Sequence, residues 1–109
     1  MDFFMLRLRQ YLRESDLARV NCEVVADHFA VSLSTLRRRC VNNGSTWSNE
    51  YQRAQQIRFD VLWHDRPGGC ALEYFYQCGY REVNSFYRAF RVWHGCSFGG
   101  FRRRFLEAA

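Results

Sequence analysis

Lysine is missing from this chain of 109 residues: all sixteen of its Lys and Arg positions are Arg. Proline occurs once, and Pro67 sits in Asp65-Arg66-Pro67-Gly68-Gly69, the strongest break along the chain. The five cysteines, Cys22, Cys40, Cys70, Cys78 and Cys96, form no Cys-x-x-Cys pair and leave an odd count. That argues against a secreted disulfide framework and for a reducing cytoplasm. No stretch approaches the roughly 18 apolar residues that a membrane span needs. The opening Asp2-Phe3-Phe4-Met5-Leu6-Arg7-Leu8-Arg9 has too few apolar residues in a row for a signal peptide. There is no Gly-rich phosphate loop, H-E-x-x-H or G-x-S-x-G pattern, and Glu73 and Glu82 are too isolated for an acid–base pair. An enzyme is not expected, nor a cofactor.

What is present is positive charge and aromatic bulk. Sixteen cations against eleven acids give a net charge of +5 and a sequence pI near 9.2, which favours an anionic partner. The Arg guanidinium is a rigid fork of donors that fits phosphates and guanine edges, where Lys is a flexible point charge. The alternative source of an Arg-only set is codon bias in a GC-rich genome. Ten Phe, six Tyr and three Trp supply much of a modest core, because large rings bury the most area per residue.

Apolar spacing is helical throughout and no convincing strand pattern occurs, so the chain is expected to be all-α with about seven helices. Phe4, Leu8, Tyr11 and Leu12 share one face of a first helix, about Asp2 to Glu14. Cys22, Val25, Ala26 and Phe29 repeat at i, i+3, i+4 and i+7 behind the N-cap Asn21. Ala30-Val31 makes a turn, and Ser32 caps a third helix that carries Leu36 and Cys40 and ends near Gly44. Trp47, Tyr51, Ala54, Val61 and Leu62 line the inner face of a long helix from about Ser48 to His64. After the Pro-Gly-Gly break come a short helix from Ala71 to Cys78, a turn at Gly79 and a helix from Val83 to His94. Phe98, Phe101 and Phe105 space a last helix after Gly95, capped by Ser97. The domains expected are 1–47 and 65–109, each a helix-turn-helix subdomain, joined by a linker helix over 48–64.

A helix-turn-helix needs a small residue in its first helix, a turn without bulk and a buried anchor in its second helix. Ala26, Ala30 and Leu36 meet this in the first half; Gly79 and Phe86 supply the turn and anchor in the second. Gly79-Tyr80, Glu82, Phe86, Arg88, Phe90-Arg91, Gly95, Ser97 and Phe101-Arg102 match the spacing of one known helix-turn-helix family most fully. Ala26, Ser32, Leu36, Arg38 and Gly44, then Trp47 and Arg58, follow it upstream. The second turn is one residue longer, since Ala26 to Cys40 spans fourteen positions and Phe75 to Phe90 fifteen. On these residues the chain, from about Leu6 to Arg104, resembles the DNA-binding domain of the AraC/XylS family of bacterial transcription regulators.

The resemblance implies two recognition helices entering successive major-groove segments of double-stranded DNA, a cytoplasmic, nucleoid-associated location, and RNA polymerase as a further partner. It implies base reading by Ser34, Thr35, Arg37 and Arg38 in the first unit and by Val83, Asn84, Tyr87 and Arg88 in the second. Arg37 and Arg38 suit guanine bidentately, and Asn84 suits adenine. Arg81, Arg91, Arg102 and Arg103, with the helix starts at Ser32 and Ser97, suit phosphates. A monomer or weak dimer is expected. The chain reads either as a short stand-alone member or as part of a longer regulator.

Three residues depart from the family pattern. Phe75 stands where a small Ala is usual, and should push the recognition helix outward or be absorbed by repacking around Cys78 and Ala71. Phe98 replaces a Pro, and Leu62 an Ala. Competing structural readings attach to several residues. Arg37-Arg38-Arg39 also fits a solvated helix face, and Arg102-Arg103-Arg104 a favourable placement of cations near a helix end. Arg58 is expected in a buried pair with an acid, and Tyr87 and Val83 could pack against a neighbouring helix. His28, His64 and His94 show no metal-ligand spacing with the cysteines, and Cys22, Cys40 and Cys78 read as core thiols. The rival function is a helix-turn-helix fold kept as a protein-interaction module without specific DNA reading, with rings at Trp63, Trp93 or Tyr76 forming its surface.

Overall fold

A computed structural model describes residues 3–108, and it is all-α, with no strand among the described residues. Six α-helices follow in order: α1 Phe3–Glu14, α2 Cys22–His28, α3 Leu33–Asn42, α4 Trp47–Asp65, α5 Val83–His94 and α6 Phe98–Ala108. The expected start of the first helix at Asp2 lies outside the described residues.

Local chemistry sets most of these boundaries. Asn21 Oδ1 accepts from the Val24 amide at 2.8 Å and Ser32 Oγ from the Thr35 amide at 3.1 Å, so both residues cap their helices. Thr46 Oγ1 does the same for the Asn49 amide at 3.0 Å, and Ser97 Oγ for the Gly100 amide at 3.1 Å. Gly44 and Gly95 take left-handed backbone (φ 75° and 68°) just past the ends of α3 and α5, where glycine meets no Cβ penalty.

One of the seven expected helices, the fifth in chain order, forms only as a short turn. Of Ala71 to Cys78, only Ala71–Glu73 makes a regular turn, and that turn is a 3₁₀ helix. The Tyr74 hydroxyl donates to the Arg66 carbonyl at 2.6 Å and accepts from the Gly69 amide at 2.9 Å, tying the segment back to the preceding loop. Aromatic residues at 74 to 76 add little helix propensity, and the i→i+4 bonds of the Phe75 and Cys78 amides stay isolated.

The chain divides into two compact units, Met1–Gln55 and Gln56–Ala109, with the division falling inside α4. In the first unit Phe4, Met5, Leu8 and Leu12 from α1 bury against Leu17, Val25, Ala26, Leu36, Cys40 and Ala54. In the second the core is aromatic: Phe59, Tyr74, Phe86, Phe90 and Phe98, with Ala71 and Cys78. Phe59 lies within 6.2 Å, ring centre to ring centre, of Trp63, Tyr74, Phe86, Phe90, His94, Phe98 and Phe101.

Along α4 the expected inner face needs correction. Trp47, Tyr51 and Ala54 pack into the first unit and Leu62 into the second, but Val61 is 51% exposed and Phe59 is buried instead. Phe59, Leu62 and Trp63 make their own i, i+3, i+4 set, and Val61 falls off it. Glu50 also lies inside, only 4% exposed, gripped by Arg9 Nε at 2.7 Å and Nη2 at 3.2 Å and by Ser45 Oγ at 2.7 Å.

Candidate nucleic-acid interface

Each unit contains the same turn. At the end of α2 the Val31 amide bonds back to the Ala26 carbonyl at 3.0 Å and the Ala30 amide to the Asp27 carbonyl at 3.1 Å. After the 3₁₀ turn, the Tyr80 amide bonds to the Phe75 carbonyl at 3.1 Å and the Gly79 amide to the Tyr76 carbonyl at 2.9 Å. Both are Schellman closures, a 6→1 bond enclosing a 5→2 bond around a left-handed residue. That residue is Ala30 (φ 55°) in the first unit and Gly79 (φ 92°) in the second. The closures put Ala26 and Phe75 in equivalent places. Ser32 then caps α3 one residue beyond Val31, while Glu82 starts α5 two residues beyond Tyr80, which is the extra residue read in the second turn.

From there α3 and α5 run in register. Leu36 and Cys40 are fully buried in the first unit, and Phe86 and Phe90 in the second. These anchors turn Ser34, Arg37 and Arg38 outward on α3, and Asn84, Tyr87, Arg88 and Arg91 outward on α5; all seven are exposed. Thr35 is half-buried, and its hydroxyl accepts from Ser32 Oγ at 2.9 Å. Val83 is half-buried against the aromatic core. Arg88 Nη2 approaches Ser85 Oγ at 3.3 Å, one turn back. Neither helix contains an acidic residue. No side-chain hydrogen bond or ion pair among the described residues holds Arg37, Arg38, Arg81, Arg91 or Arg103. These five exposed guanidiniums are therefore available to an anion.

Other arginines are occupied. Arg39 leans over the Phe4 ring at 4.7 Å and Arg7 over Phe29 at 5.4 Å, cation–π contacts within the first unit. Arg39 thus stands apart from its two neighbours in the run 37–39, and its i+3 spacing from Leu36 is the sequence signal for it. Arg58 is half-buried and its Nη1 donates to the Gln77 carbonyl at 3.1 Å. Arg102 is half-buried and its Nε donates to the Gly68 carbonyl at 2.9 Å, so it pins the Pro67-Gly68-Gly69 loop to α6. The Ser32 and Ser97 hydroxyls are engaged as caps. That leaves backbone N–H groups at those helix starts to meet an anion.

The rings at 75 and 98 both pack into the second unit. Phe75 is half-buried against the core that holds Ala71 and Cys78, and Phe98 is 2% exposed within it. The rings named for a protein-binding surface divide: Trp63 and Trp93 pack against the core, while Tyr76 is 50% exposed. Cys22, Cys40 and Cys78 are buried. Loss of solvation pushes the Cys40 thiol pKa up and that of Cys78 up to about 12, so both are protonated thiols. No group of three or more His, Cys, Asp or Glu able to hold a metal ion occurs among the described residues. No helix there is long and apolar enough to cross a membrane.

No protein-family model matches the chain, and no curated protein or solved structure matches it either.

Proposed function

We propose that this chain is a sequence-specific double-stranded DNA-binding protein, a transcription regulator of the AraC/XylS type whose helices α3 and α5 each read a major-groove segment. One observation carries the reading: two helices behind equivalent left-handed turns bury matched anchor pairs and present acid-free faces with unpaired Arg. An α-helix of this kind fits the major groove. Arg37 and Arg38 suit guanine O6 and N7, Asn84 suits adenine, and Arg81, Arg91 and Arg103 suit phosphates and hold register. Arg102 contributes by fixing the loop at Gly68 and through its remaining N–H groups.

Selection from random duplexes, repeated at low and at physiological salt, tests the proposal. Enrichment of a motif with two parts is expected, with affinity falling steeply as salt rises. Within that motif, Arg38→Ala should cost about 1–3 kcal/mol of discrimination at one base pair. An unchanged preference at every position would remove Arg38 from the reading set. Binding that ignores both salt and sequence would sink the proposal itself and favour a protein partner, RNA polymerase among the candidates.

A further inference from the structure

We infer that Tyr87, with Val83 one turn before it, recognises the 5-methyl group of a thymine in the part of the site read by α5. This rests on the DNA-binding reading above and adds a chemical identity to one of its contacts.

The outward face of α5 is polar at Asn84, Arg88 and Arg91, yet an aromatic ring stands among them. Tyr87 is 42% exposed, while its ring centre lies 6.2 Å from Phe86 and 6.4 Å from Phe98. Both neighbours are core residues, at 0% and 2% exposure. Val83, at i−4 on the same face, is half-buried against the same core. The inner side of the Tyr87 ring is thus seated on the protein and its outer side is left to solvent. The result is an apolar ridge, Val83 and Tyr87, running alongside Asn84 and Arg88 on the core-ward side. In α3 the equivalent positions are Leu33, half-buried, and Arg37, an exposed cation, so the ridge belongs to α5 alone.

A phosphate would engage the Tyr87 hydroxyl, whereas the half-covered ring itself presents an apolar surface beside polar side chains. The apolar feature of a major groove is the thymine methyl, and apolar side chains recognise it there. A ring already held by Phe86 and Phe98 loses little freedom on making that contact. With Asn84 beside it, α5 is matched to a step containing A and T, whereas Arg37 and Arg38 match α3 to guanine.

The test uses the full chain and its selected duplex. Each thymine of the motif is replaced in turn by deoxyuridine, which removes only the methyl. One replacement should weaken the parent about fourfold, the effect of uncovering one methyl-sized apolar contact. Tyr87→Phe should keep that sensitivity, since the ring and not the hydroxyl makes the contact. Tyr87→Ala should bind the thymine duplex about fourfold more weakly and lose the sensitivity. A motif in which no thymine is methyl-sensitive, or in which sensitivity survives Tyr87→Ala, overturns the assignment and leaves DNA reading standing. Failure to enrich any motif overturns both.

Discussion

Glu50 is a carboxylate folded into the interior of the first unit, and two neighbours hold it ionised there. Burial alone would raise its pKa. The hydrogen bonds from Arg9 outweigh that cost, Ser45 adds to them, and the pKa is held below the ordinary glutamate value of 4.5. A carboxyl whose folded pKa is depressed contributes stability that is complete above its unfolded pKa. That stability is lost as pH falls through the lower folded value. Thermal melts of the parent should therefore hold steady above about pH 4.5 and decline below it. Glu50→Gln leaves Arg9 facing a neutral partner and should cost on the order of 2 kcal/mol near neutral pH, with Arg9's partial exposure tempering the loss. The variant should also lose the part of the acid decline due to this group. If parent and variant melts fell in parallel with pH, Glu50 would not be the group that titrates.

At the scale of the element, the two turns differ in a way that stability measurements can read. Ala30 holds the left-handed position that Gly79 holds in the second unit. An L-residue there costs about 1–2 kcal/mol relative to right-handed backbone. Ala30→Gly relieves that strain but frees the unfolded chain, so a net gain of about 0.5–1 kcal/mol is expected in denaturant melts. Gly79→Ala should go the other way by about 1 kcal/mol. A destabilised Ala30→Gly would mean that the methyl of Ala30 contributes more than its backbone loses.

These turns also show what was legible beforehand. Caps at Asn21, Ser32 and Ser97 and the stop at Gly44 are local chemistry, and the starts of α2, α3 and α6 and the end of α3 followed from them. The irregular segment after Ala71 was not legible, because it is set by Tyr74 reaching the Arg66 carbonyl eight residues away. Glu50 escaped for a similar reason: its partner Arg9 lies 41 positions upstream. Its place in the i, i+3, i+4, i+7 set of Trp47, Glu50, Tyr51 and Ala54 did mark it as inward-facing. In the candidate site the outward positions of α3 and α5 could be read from the anchors Leu36, Cys40, Phe86 and Phe90. The i+3 spacing of Arg39 from Leu36 marks it as leaning inward but does not show that Phe4 receives it, and the bond from Arg102 to the Gly68 carbonyl depends on a contact 34 residues away that no periodicity encodes.

For the whole molecule the question is whether both units read the same bound duplex. Arg38 and Asn84 lie in different units and have no partner in common, so substitutions there should not couple through the protein. If both side chains contact bases in one complex, Arg38→Ala and Asn84→Ala should each cost about 1–3 kcal/mol, and the double variant should cost their sum. A unit that only rests on the phosphates would behave differently: Asn84→Ala would be near neutral while Arg38→Ala kept its full effect. Arg103→Ala offers an internal standard, since losing one phosphate contact should weaken all sequences alike and reduce the salt slope by about one. Arg103 suits this better than Arg102, whose removal would also release the loop at Gly68. Additive base-reading losses beside a sequence-blind Arg103 loss would assign reading to both helices and register to the arginines around them. A sub-additive double variant would mean that the second substitution acts on a complex from which one unit has already let go.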